Sequence, residues 1–218
     1  LNEELGLDDF SEFLEDEATM AKIETLMNVR DSFDGEVDWH ERAKSLAIFS
    51  AFTEGVNLFS SFAVLLSFKM RNKLKGVGQI VEWSIRDESM HSEAGCWLFR
   101  TLLEEKPELK TPELETAINE AALLSLQLEL DFIEKVYEQG DLEGCNKEDL
   151  ISFIKNRVNT KMGDLGYRPI VNGIDVTAIE RMKWFDHLSA GKQHTDFFAS
   201  RVTNYSKGVQ EWDAESIF

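Results

Sequence analysis

An all-α helical bundle is the fold class that this 218-residue chain predicts. Three observations carry that expectation. Only three prolines occur, long stretches run without glycine, and apolar residues recur at helical spacing. Residues 1–36 read as acidic helix with broken periodicity, through Phe10, Phe13, Leu14, Ile23, Leu26 and Met27. Ser32-Phe33-Asp34-Gly35 is turn chemistry, after which Asp38 can cap the next helix, with Glu41 as its capping-box partner. That helix is expected to run unbroken to about Lys69, with aromatic and small residues on every face, as a central helix has. Gly76 and Gly78 suggest a loosened start to a helix over 79–104. Pro107 and Pro112 bracket a loop, and 113–139 forms an amphipathic helix closed by Gly140, with the stripe Leu123, Leu126, Leu130, Ile133 and Val136. A helix over 147–162 follows. Gly166 to Gly173 reads as extended, and a weaker helix lies near 177–188.

Hydrophobic residues at 43% and charged residues at 29% are ordinary for a globular protein. The net charge of -18 argues against a nucleic-acid backbone or an anionic membrane as partner. The run from Ala47 to Phe68 is apolar, but Glu54 and Asn57 inside it argue against a membrane span. Cys96 and Cys145 are too few for a disulfide framework and fit a reducing cytoplasm. Cys96 itself reads as a small buried apolar residue. The first residue is Leu, not Met, so the expectation is a trimmed chain or the distal piece of a longer one.

The chemistry concentrates in Ile85-Arg86-Asp87-Glu88-Ser89-Met90-His91-Ser92. A spacing of three puts Glu88 and His91 on one helix face, where carboxylate and imidazole can grip the same ion. Glu-x-x-His alone is a weak motif, equally compatible with a solvated Glu beside a half-buried His. Its surroundings strengthen it, because Ile80, Val81, Trp83, Ile85, Met90, Ala94 and Trp97 are expected to leave Glu88 little solvent. Glu54, in the apolar stretch Ala51 to Phe59, adds a second acid whose desolvation calls for a partner. Carboxylate-bridged dimetal centres in helical bundles use one Glu from each of two helices and Glu-x-x-His from each of two others. This chain offers one of each, and neither His40, His187 nor His194 follows a Glu by three. It holds half of such a site.

Thr53-Glu54-Gly55-Val56 with Phe62, then Arg86-Asp87-Glu88-Ser89-Met90-His91, His194-Thr195-Asp196-Phe197-Phe198 and the near-terminal Tyr205 resemble the radical-generating small (beta) subunit of class I ribonucleotide reductase. The likeness runs along essentially the whole chain but covers only the distal part of that family's polypeptide. It implies a ferritin-like helical bundle and a dinuclear iron or manganese centre. Glu54, Glu88 and His91 match its second-half metal ligands. Asp87 matches an acid of the radical-transfer path, and Tyr205 the tyrosine that relays an electron and proton between subunits. Leu58 and Phe62 match the apolar wall near the radical site, and Phe59, Trp83 and Ile85 are expected to help keep that region dry. The first-half ligands and a radical-bearing tyrosine beside them are absent.

The resemblance therefore implies a split or cleaved small subunit. Residues 1–190 would form a partial helical bundle and 191–218 a flexible tail docking on the large catalytic subunit. An N-terminal fragment of the small subunit would supply the missing ligands, and a small-subunit dimer is expected. Two other readings remain open at this level: a ferritin-like dimetal oxidase or oxygenase acting on its own substrate, and a non-catalytic helical assembly module.

Overall fold

The structure is a computed structural model that describes residues 38–138 and 140–189, with isolated helical positions at Glu17, Met20, Ala21, Ile23, Glu24 and Met27. The acidic stretch before Asp38 otherwise lies outside the described residues, as do the tail from 191 and Tyr205 within it. Among the described residues there are helices and no strand.

Helix α1 spans Trp39–Ala47. Asp38 caps it as expected, its Oδ1 accepting from His40 N at 2.8 Å and Glu41 N at 3.3 Å. Glu41 turns its own side chain to Lys44 at 2.7 Å. The long helix anticipated to Lys69 is interrupted. After α1 the chain passes into a π-helical segment, Ile48–Thr53, and Glu54 N bonds Phe49 C=O, five residues back, at 3.0 Å. Val56 N and Asn57 N then both reach Phe52 C=O, and a fresh helix, α2, starts at Phe59 and runs to Met70. Gly55 is the sequence signal for this break. A Cβ there would meet the Ala51 carbonyl, Lys161 Cδ at 2.8 Å and Ser92 Oγ at 2.8 Å, so only glycine permits the approach.

A turn with left-handed Asn72 (φ 67°) and Leu74 (φ 47°) leads into α3, Lys75–Glu105, which is 31 residues long. It begins before the expected residue 79. Gly78 lies inside the helix and packs on the Lys69 stem, where a Cβ would come within 2.7 Å of Lys69 Cδ. The Pro107–Leu109 connection is a short 3₁₀ turn. Helix α4, Pro112–Tyr137, is capped by Thr111 Oγ1 accepting from Leu114 N at 3.2 Å, with Pro112 at its first position. Of its anticipated stripe, Leu126 and Ile133 are buried and Leu130 and Val136 half-buried, but Leu123 faces solvent.

Helix α5, Lys147–Asp164, is capped by Asn146, which accepts from Glu148 N and Asp149 N. The extended segment beyond it is stitched back by Asn159. Its Nδ2 donates to Val171 C=O at 2.8 Å, and its Oδ1 accepts from Ile170 N and Val171 N. Two short helices follow, α6 (Val176–Arg181) and α7 (Lys183–Ser189). Arg181 grips buried Asp149 through two bonds, at 2.8 and 2.6 Å, tying α6 to α5.

The core is one cluster. Ala43, Ala47, Ala51 and Phe52 from the first segments meet Phe59 and Leu66 of α2, Ile85, Cys96 and Phe99 of α3, Ile118 and Ile133 of α4, and Ile154 and Val158 of α5. Small residues let the π-helical segment lie close along α3. A Cβ on Gly95 would collide with the Ser50 side chain, as one on Gly55 would with Ser92. This close seating brings Glu54 beside the middle of α3.

Candidate metal centre

Two routes deliver the side chains. Glu88 and His91 project from successive turns of α3, and His91 Nδ1 lies 3.5 Å from Glu88 Oε2. Glu54 leaves the π-helical segment at the residue where the helix breaks, and its Oε1 lies 3.9 Å from His91 Nδ1. One ligand atom from each of Glu54, Glu88 and His91 falls within 4.8 Å of the other two. Among the described residues, these three sequence-predicted positions are brought to one point.

Burial grades across the cluster. The side chains are 17% exposed for Glu54, 28% for Glu88 and 55% for His91, so the site is sealed on the Glu54 side and open beyond the imidazole. Burial raises the Glu54 pKa above the usual carboxylate range. His91 opposes that rise and the Glu88 charge adds to it. A carboxylate held against its preference for water beside a second carboxylate and an imidazole is an arrangement that a bound cation stabilises. Two carboxylate oxygens and an imidazole nitrogen suit iron or manganese. The residues present therefore fit a metal ion, with coordination positions left over beyond the three ligand atoms grouped among the described residues.

The surroundings differ from the sequence expectation in one respect. Ile85 and Val81 are buried, but Ile80, Trp83, Met90, Ala94 and Trp97 are exposed, so the α3 face beside Glu88 is apolar and open. Sequence cannot distinguish an apolar residue facing the chain's own core from one facing a surface left uncovered. Phe59 and Ile85 are buried, Phe62 is half-buried, and Trp83 and Leu58 reach solvent. Asp87 lies exposed on α3, outside the group of three ligand atoms. Its neighbour Arg86 donates to Ser189 C=O of α7 at 3.1 Å. Tyr205 lies outside the described residues. Cys96 is buried as expected, which pushes its thiol up to about 11.

Sequence reasoning missed Arg157 and Glu129, which bind the backbone on either side of the helix break. A signal existed: each is a charged residue set within an apolar stripe, Glu129 between Leu128 and Leu130 and Arg157 beside Val158.

A family model described as the small chain of ribonucleotide reductase matches residues 4–176. A probable ribonucleoside-diphosphate reductase small subunit of Invertebrate iridescent virus 3 is 32% identical over 211 residues, covering 91% of this chain and 55% of its own length. The ribonucleoside-diphosphate reductase subunit beta of Chlamydia pneumoniae is 26% identical over 170 residues, covering 78% of this chain and 47% of its own. This chain thus spans about half the length of the curated relatives it matches. The crystal structure of a putative class I ribonucleotide reductase from Bacillus halodurans superposes with a TM-score of 0.74 at 21% identity, over 84% of this chain and 65% of that one. That likeness establishes the fold as the expected all-α, ferritin-like bundle.

Proposed function

The chain belongs to the ribonucleotide reductase small-chain family, and from that premise we propose that it supplies one half of the family's dinuclear metal centre. Glu54, Glu88 and His91 are the ligands in this reading, and their convergence within 4.8 Å is the observation that carries it. When bound, iron or manganese supplies the one-electron oxidant that a partner large subunit uses to reduce ribonucleotides to deoxyribonucleotides.

The chain's own residues have three tasks. The two carboxylates and the imidazole bind and orient the ion. Phe59 and Ile85, both buried, exclude water from the Glu54 side. Asp87 and Tyr205 carry the oxidising equivalent outward, and residues 191–218 dock on the large subunit.

The remaining ligands come from a complementing N-terminal small-subunit polypeptide. The open apolar face of α3 beside the cluster supports this, because helices carrying further ligands would both cover that face and complete the coordination. A small-subunit dimer and a cytoplasmic location belong to the same reading. Buried, unbridged Cys96 and Cys145 fit a reducing compartment, and no helix among the described residues is long and apolar enough to cross a membrane.

Native mass spectrometry of the protein purified from its source, with metal content read on the same sample, tests the proposal. The expected result is a second polypeptide in complex with this chain and about two metal ions per pair. A lone chain without metal overturns it. In the assembled enzyme, Tyr205→Phe is expected to stop turnover while metal content stays unchanged.

A further inference from the structure

The break between Glu54 and α2 frees two backbone groups that a continuous helix would pair. Phe59 N–H would reach the Gly55 carbonyl in an α-helix but bonds Val56 C=O instead, at 2.9 Å. Ser60 N–H would then reach Val56 C=O, and it bonds the carboxylate of Glu129 on α4 at 3.2 Å. The Ser60 hydroxyl donates to the same Glu129 oxygen. The Gly55 carbonyl accepts from Nε of Arg157 on α5. One donor and one acceptor released by a single break are each met by a charged side chain from a different neighbouring helix. A third tie from α4, Ser125 Oγ donating to Asn57 Oδ1, sits between them.

Neither charge is placed casually. Glu129 is fully buried, and the Arg157 guanidinium lies 3.1 Å above the centre of the Phe59 ring, the first residue of α2. Burial lowers the Arg157 pKa to about 9 while Asp186 and Asp164 oppose the shift, so the guanidinium stays charged at neutral pH. Charge-assisted bonds to backbone are roughly twice as strong as neutral ones. Arg157 holds the Gly55–Val56 peptide, one residue past Glu54, and Glu129 holds the Phe59–Ser60 peptide at the start of α2. Together the two bonds fix where the chain leaves Glu54, whose carboxylate meets Glu88 and His91.

We propose that Arg157 and Glu129 are positioning residues of the metal centre, clamping the helix break so that Glu54 faces the Glu-x-x-His pair. The proposal rests on the metal reading above. Two readouts on the full chain test it and keep the two ideas apart: Mn²⁺ affinity by titration, and amide hydrogen exchange in peptides covering residues 48–60.

Arg157→Gln is expected to weaken Mn²⁺ binding about tenfold, as losses of supporting partners do. It should also speed exchange in that segment about tenfold relative to α4. Arg157→Lys should recover part of both. Ile154→Val, a core truncation one turn away on α5, should lower the melting temperature and move neither readout. Should Arg157→Gln fail to fold, Glu129→Gln provides the same two measurements, because it keeps the acceptor but removes the charge. Affinity and exchange both within about twofold of the unaltered chain overturn the clamp, since supporting partners are worth far more than that. An unaltered chain that holds no Mn²⁺ either alone or with its complementing polypeptide overturns the metal reading itself, with exchange still deciding whether Arg157 and Glu129 fix the break.

Discussion

Glu88 and His91 come from consecutive turns of an unbroken 31-residue helix, whereas Glu54 comes from a segment where the helical ladder fails. The pair on α3 needs no tertiary help to lie side by side, because the helix repeat alone aligns positions three apart. The lone acid has no such guarantee. Its direction depends on a π-helical turn, a glycine pressed against Ser92 and Lys161, and bonds from two other helices. Regular structure gives a ligand pair its geometry locally, while a single ligand opposite it has to be aimed by the fold.

The strongest test of this contrast removes the ligands themselves. Glu54→Ala, Glu88→Ala and His91→Ala are each expected to weaken Mn²⁺ binding by more than about 100-fold, since outer partners alone are worth about 10–100-fold. If His91→Ala retains metal, its exposed imidazole is not a ligand. Next comes Gly55→Ala, which forces a methyl group onto the Ala51 carbonyl and should cost about 1–3 kcal/mol in denaturant unfolding. Gly95→Ala should cost less, because its new methyl meets the Ser50 side chain, which can rotate away. Equal costs would mean that the two contacts of this seam are equivalent.

A smaller effect is expected from Ser60→Ala, about 1 kcal/mol, as the hydroxyl bond to Glu129 is lost while the backbone bond persists.

The smallest separates the acids by pH in the presence of chelator. The Glu54 pKa is raised in the folded state, so the folded chain holds its proton over a window that begins at the ordinary carboxylate value and extends upward. Stability therefore falls as pH rises through that window. Glu54→Gln should raise the melting temperature at pH 7, with the gain vanishing below pH 4. A constant gain at all pH values would show that desolvation of this carboxylate is not its source.

The same contrast explains what the sequence discloses. Glu88 and His91 could be read directly because their relationship is a spacing, and Asp38 marks a helix start that appears where its capping chemistry places it. The interruption after Thr53 was not legible. Apolar and small residues continue through Ala51 to Leu66, and only Gly55 hints that α1 and α2 are separate. Its cause is tertiary: Glu129 and Arg157 come from positions far along the chain. The outer face of α3 was misjudged for a related reason. Ile80, Trp83, Met90 and Trp97 have the composition of a buried stripe, and nothing in their spacing says that the covering surface is not part of the described residues.

That stripe also bears on how the chain behaves as a colloid. A net charge of -18 makes isolated copies repel one another at low ionic strength, while the row of tryptophan, isoleucine and methionine favours their sticking together. The repulsion reaches about 30 Å at 0.01 M salt but only about 3 Å at 1 M, whereas apolar attraction is not screened at all. Added salt should thus turn a well-dispersed acidic protein into one that self-associates along α3. Light scattering that rises steeply with ionic strength, and falls back when Trp83 and Trp97 are replaced by Gln, would be its physical signature.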